Sequence, residues 1–172
     1  MALDESFEAL LLVLASVRSS RLRPPCAGSV NIEDPSGGSR TFQAEVHHGE
    51  MTWSFTDGAI THSFTPSGGG TVQSRAGDVQ RIPRDRDDYL PEEILPFFPL
   101  SMPIWGGMQD NFRVVGAEAG ATGVRLSLVH MEDPSFTGTA FVDTEYGVVT
   151  EFVTPAQKLV VRDLGRLPLM RP

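Results

Sequence analysis

The chain has 172 residues, 40% of them apolar, with 17 glycines and 13 prolines, enough for one domain (1–172) with a sizeable core and richer in turns than a helix bundle. A formal net charge of −8 argues against nonspecific nucleic-acid binding, which needs clustered Lys and Arg, and against adhesion to an anionic membrane. The single cysteine, Cys26, excludes an intrachain disulfide and a multi-cysteine zinc site.

The periodicity predicts one long helix over 4–19. Asp4 suits the N-cap, and Glu5 and Glu8 complement the helix dipole. Phe7, Leu10, Leu11, Leu14 and Val17 recur at three-and-four spacing, and Leu12 and Val13 widen that face. Arg18 and Arg21 suit its C-terminal end, and Pro24-Pro25 stops it. The apolar run at 9–17 is too short to span a bilayer, and its acidic flank is wrong for a signal peptide, so no membrane insertion is expected. The expected location is the cytoplasm, unless a leader has been removed. Cys26 reads as a small packed residue; the alternative, a reactive thiol, would draw on Arg21 and Arg23 nearby.

A first antiparallel run is predicted over 29–74. Val30 and Ile32 mark its first strand, ended by Asp34-Pro-Ser-Gly-Gly38. The second, 41–48, places Phe42, Ala44 and Val46 on one face; the third, 51–55, does so with Met51, Trp53 and Phe55. Asp57-Gly58 is a strong hairpin signal. Ile60, His62 and Phe64 alternate in the fourth strand, and 71–74 offers a fifth. Residues 75–90, with Arg-Asp-Arg-Asp-Asp at 84–88, read as a solvated, internally charge-paired loop; a docking or metal-binding loop is the alternative.

Pro91-Glu-Glu has the composition of a helix start. The apolar stretch that follows is broken by Pro96, Pro99 and Pro103, so residues 91–109 are expected to form a short helical plug. A second antiparallel run follows over 112–164, with strands near 112–117, 122–131, 136–143, 147–153 and 157–163. Residues 165–172 read as a frayed tail.

No residue set makes a catalytic case. His47 and His48 are adjacent in a strand and so point to opposite faces. His62 and Glu50 would have to join them to hold a metal, and surface or cross-strand pairing is the simpler reading. There is no Gly-x-Ser-x-Gly elbow and no phosphate loop; Gly37-Gly38 and Gly68-Gly69-Gly70 read as loops. The paired acids Asp87-Asp88 and Glu92-Glu93 lie in charge-rich sequence, with no reason for the split pKa values that acid–base catalysis needs. The expectation is a non-enzyme that needs no cofactor and no metal.

The aromatic set is richer than strand formation requires. Trp53, Phe55, Phe64, Phe97, Phe98, Trp105 and Phe112, with Met102, either fill a core or line an apolar cavity between sheet and plug. Met102 and Met108 adapt their shape, and Gly106-Gly107 permit a hinge, so the plug is expected to serve as a movable lid.

Three stretches resemble the LolA-like lipoprotein carriers and their LppX and RseB-like relatives. The helix from Phe7 to Arg18 is similar to the family's opening helix, and Leu95-Pro-Phe-Phe-Pro-Leu100 to its mid-chain plug. Gly138-Thr-Ala-Phe-Val-Asp143 with Gly147-Val-Val-Thr-Glu-Phe152 resembles its late hairpin. The likeness implies a bacterial α+β fold: a single strongly curved antiparallel sheet, an incomplete β-barrel of about seven to nine strands, covered by the N-terminal helix and the plug. It further implies binding of an apolar small molecule, such as a lipid or acyl chain, in the cavity. The alternative is a protein-interaction or regulatory module with the same fold and a filled core; a hydrolase is a third reading. The departures are the absent export signal and the break at Pro24-Pro-Cys-Ala-Gly28.

Overall fold

The computed structural model describes residues 2–82 and 90–168, with side chains except at 2–4, 20 and 21. One helix, α1 (Ala2–Arg18), precedes a 3-10 turn over Ser19–Leu22. Six strands follow: β1 (Cys26–Glu33), β2 (Ser39–His47), β3 (Thr52–Thr56), β4 (Ile60–Thr65), β5 (Gly69–Ser74) and β6 (Val79–Ile82). After the plug come β7 (Phe112–Ala119), β8 (Gly123–His130), β9 (Thr137–Asp143), β10 (Val148–Thr154) and β11 (Gln157–Arg166).

All eleven strands belong to one antiparallel sheet in the order β6-β5-β4-β3-β2-β1-β11-β10-β9-β8-β7, which does not close. It consists of two meanders joined where β1 pairs with β11, Val30 opposite Val161 and Ile32 opposite Leu159. The outer edges, β6 and β7, are consecutive in the chain. The arrangement is that of an incomplete barrel.

Alternation builds one continuous apolar face. Val30 stands opposite Phe42, Ala44 opposite Phe55 and Val46 opposite Trp53. On the other half, Leu159 faces Phe152, Phe152 faces Ala140, and Ala140 faces Leu126. These side chains are buried. The turns follow their sequence signals: Asp34, Asp57 and Asp143 each accept two backbone N–H bonds from the residues just after them.

Several expectations need correction. The sheet has eleven strands because β6 lies in the stretch expected to be loop; its side chains are mostly exposed, so it carries no apolar alternation and is held by backbone pairing to β5. The charged residues 84–88 and the Asp4 and Arg21 side chains lie outside the described set. β1 starts at Cys26, directly after the proline pair, with a bulge between Ala27 and Ser29. Met51 is not in β3; it sits in the preceding turn with φ 54° and is exposed. Gly165 and Arg166 are not frayed, since they pair with Ala27 and Cys26.

The helix packs on β7 and β8, but on a narrower face than predicted. Ala9, Val13 and Val17 are buried, at i, i+4 and i+8, while Phe7, Leu11 and Leu12 are exposed. Small and β-branched residues let the helix approach the sheet closely, and a helix apolar on so many sides cannot bury them all against one layer.

Candidate functional site

The plug is helical only in short 3-10 turns and holds no α-helix among the described residues. The N–H groups of Ile94 and Leu95 both donate to the Pro91 carbonyl, and two 3-10 turns follow, Leu95–Phe97 and Pro99–Ser101. Prolines at each turn start supply the fixed φ but interrupt any α ladder. The first turn packs on β10. Ile94, Phe97 and Ile104 are fully buried, and Met102 is nearly so. Met108 is fully exposed, so the two methionines do not act together.

Of the predicted site residues, Trp53, Phe55, Phe97, Met102 and Phe112 are buried in the core, and Phe64, Phe98 and Trp105 are partly buried against it. Five of them meet other rings, Phe98 meeting the imidazole of His48. Trp53 stacks on Phe64 with centroids 5.7 Å apart and lies 6.1 Å from Phe55. Phe55 stacks on His62 at 4.5 Å and meets Phe42 edge-on at 5.7 Å. This aromatic ladder crosses β2, β3 and β4. Phe112 stands apart, edge-on to His130 at 5.2 Å.

Trp105 anchors the plug's far end. Its indole N–H donates to the Pro99 carbonyl at 2.7 Å, and its backbone N–H donates to Asp110 at 2.9 Å. Asp110 also accepts from the Gly107 N–H. The turn at 105–110 is thus closed by one carboxylate, with Gly106 at φ 84°. Trp105 forms a bridge with Arg113 at the start of edge strand β7.

The residue that sequence reading misses is His48. Its expected place is the surface or a cross-strand pair, yet it is only 2% exposed. Its Nε2 lies 2.8 Å from the Phe97 carbonyl oxygen, and its ring is 5.4 Å from that of Phe98. A carbonyl only accepts, so Nε2 carries the proton and Nδ1 is bare. Nδ1 has no partner among the described residues. Burial holds the imidazole below the usual histidine pKa, against the opposing effect of the Phe97 hydrogen bond. A signal for this placement exists in the sequence: His48 continues the Phe42, Ala44, Val46 alternation onto the inner face.

The other displaced groups have structural causes. Burial raises the Cys26 thiol to about 11, the opposite of what a reactive thiolate needs. Burial lowers Arg23, whose guanidinium donates to the carbonyls of Ser16, Thr144 and Glu145 and ties the end of α1 to the β9–β10 turn. Asp34, Asp57 and Asp133 are lowered by turn hydrogen bonds. Among the described residues, no group of three His, Cys, Asp or Glu is placed to hold a metal ion.

Shallow grooves also mark the surface of the described residues. One of about 250 Å³ runs between α1 and β7, lined by Phe7, Leu10, Val114 and Val115. A second, about 430 Å³, is lined by Glu5, Glu8, Leu12, Ala117 and Glu118. They share Ser6 and Ala117, the pair joined by a bond from the Ala117 N–H to Ser6 Oγ at 2.9 Å. A third, about 300 Å³, is lined by Asn111, Phe112, His130, Phe136, Pro155 and Ala156. No helix among the described residues is long and apolar enough to cross a membrane.

No protein-family model matches this chain, and no curated protein matches it in sequence. Solved structures do match its fold. An uncharacterized conserved protein from Thermus thermophilus is 11% identical with a TM-score of 0.54, covering 94% of this chain and 89% of that one. In the MucA/MucB complex of Pseudomonas aeruginosa, a chain is 13% identical with a TM-score of 0.47, over 92% of this chain and 58% of that one. The present chain therefore spans under two thirds of that protein's length. The LolA superfamily protein NE2245 from Nitrosomonas europaea is 9% identical with a TM-score of 0.26, covering 94% of each chain. At these identities the likeness concerns fold alone.

Proposed function

We propose that this chain is a non-enzymatic binding module with a filled core that offers apolar surface to a protein partner. The observation that carries this reading is a division of labour among apolar side chains. In the plug, Ile94, Phe97, Met102 and Ile104 are spent inside the core and only Leu100 and Met108 among its large apolar side chains stand exposed, while Phe7, Leu11 and Leu12 of α1 and Val115 of β7 remain outside together. Apolar residues gathered on one stretch of surface mark interaction sites. Glu5, Glu8 and Glu118 line the adjoining groove, so a basic apolar segment suits it better than a second copy bearing the same acids. Every displaced pKa has a structural explanation, which favours binding over catalysis.

A second reading has its own support. Phe64, Phe98 and Trp105 are only partly buried, and Phe112 lines the 300 Å³ groove. In this reading Trp53, Phe55, Phe64, Phe97, Phe98, Met102, Trp105 and Phe112 receive a lipid or acyl chain once the plug shifts.

Native mass spectrometry of the purified protein, with denaturing extraction of anything bound, separates the two. A retained protein lost on Leu11→Glu or Leu12→Glu supports the first reading. A lipid or fatty acid at near-unit stoichiometry, lost in Trp105→Ala without comparable loss of stability, supports the second and overturns the first.

A further inference from the structure

We propose that His48 is a pH-sensitive latch, holding the plug against the sheet while neutral and releasing it on protonation. The geometry joins two separate pieces of chain. His48 follows β2, and the hydrogen bond of its imidazole reaches the Phe97 carbonyl inside the plug. Phe97 itself is fully buried, and the Phe98 ring rests against the imidazole. Trp105 Nε1 bonds only within the plug, to Pro99, so it does not substitute for this link.

Protonation acts through the other nitrogen. Nδ1 is buried and without a partner among the described residues. A proton there becomes a donor with nothing to accept it and puts a charge in an apolar core, a costly state. The plug from Ile94 to Trp105 contains no ionisable side chain to offset that charge. The ionisable groups that bear on His48 are Arg23 and its neighbour His47, and both oppose a further positive charge. Among the described residues, no carboxylate is among the groups that act on it. Opening the plug to water removes the cost.

The sign follows from linkage. The imidazole of the closed form has a depressed pKa, and the open form has the ordinary value of about 6.5. The closed form is fully favoured above about pH 6.5 and loses ground as the pH falls toward the depressed value. With a free-histidine pKa in the open form, the opening constant rises as the pH falls from about 7.5 to about 5.5, by about tenfold at most.

Hydrogen exchange on the intact protein tests this. The backbone amides of Phe97, Phe98, Ser101 and Met102 donate within the plug and report its opening. After correction for intrinsic exchange, their opening is expected to rise toward that limit over the same pH range, while amides of β8 and β9 stay constant. His48→Phe removes the dependence, and His47→Gln retains it. If His48→Phe does not fold, imidazole NMR on the unaltered chain replaces it, and His48 must titrate together with plug opening. Equal loosening of β8 and β9 would make the event global unfolding and overturn the latch. So would a pH dependence that survives in His48→Phe, or a His48 that titrates with the plug amides unchanged.

Discussion

Arg23 shows how one side chain closes the far end of the molecule. Its guanidinium takes carbonyls from both α1 and the β9–β10 turn, and Gly147 at φ 66° makes room for it. A β-carbon on Gly147 would lie 3.0 Å from Arg23 Nη1. Gly147→Ala should therefore cost about 1–2 kcal/mol from the backbone conformation alone, read as a lowered melting temperature. Arg23→Met should cost about 1–3 kcal/mol, because it leaves backbone carbonyls without their donor. Cys26 gives a pH-dependent test. Its thiol, raised to about 11, should alkylate slowly in the native protein at mildly alkaline pH and rapidly after denaturation. The neutral thiol contributes stability below its unfolded pKa of about 8.5, and that contribution is lost as pH climbs toward about 11. Fast native labelling would contradict this placement.

Among the elements, the edge strand β7 is guarded at three points. Trp105 bridges to Arg113, a bulge falls between Val114 and Gly116, and Ser6 Oγ accepts the Ala117 N–H. Such devices keep an open edge from pairing with other chains. Ser6→Ala should cost about 1 kcal/mol and increase self-association, measured by light scattering against concentration. The plug is the other telling element. Phe97→Ala should cost about 3–5 kcal/mol if the ring is core, read from denaturant unfolding. Its apolar character and its prolines are plain in the sequence, but its conformation is not. Helix-start composition at Pro91-Glu-Glu competes with proline spacing, and the prolines win. Likewise α1 is legible as a helix, whereas its buried line is not, because seven apolar residues leave several faces plausible and only packing selects one.

At the level of the molecule, the curved antiparallel sheet is readable because alternation, Asp-Gly turns and proline breaks agree along most of the chain. The strand count is not, because β6 has no apolar signature and backbone pairing alone places it. Nor is the seam between β1 and β11, which no local pattern specifies. The same seam predicts slow folding. Val30 must find Val161, and sheets closed by such distant pairs fold in milliseconds to seconds by the general trend. Stopped-flow refolding should show this. Gly28→Ala, which would put a β-carbon 3.0 Å from Val161 Cγ1 and 3.2 Å from the Arg162 carbonyl, should slow refolding if the seam forms in the transition state.

Because β6 and β7 follow one another in the chain yet stand at opposite edges of the sheet, the plug enters the sequence at the one point where both open edges are covalently joined. The first turn of the plug also packs on β10, so displacing the plug and parting the edges are coupled movements. A glycine-serine insertion at Gly106-Gly107 should loosen that coupling, visible as a larger radius of gyration in small-angle scattering, without altering a single strand.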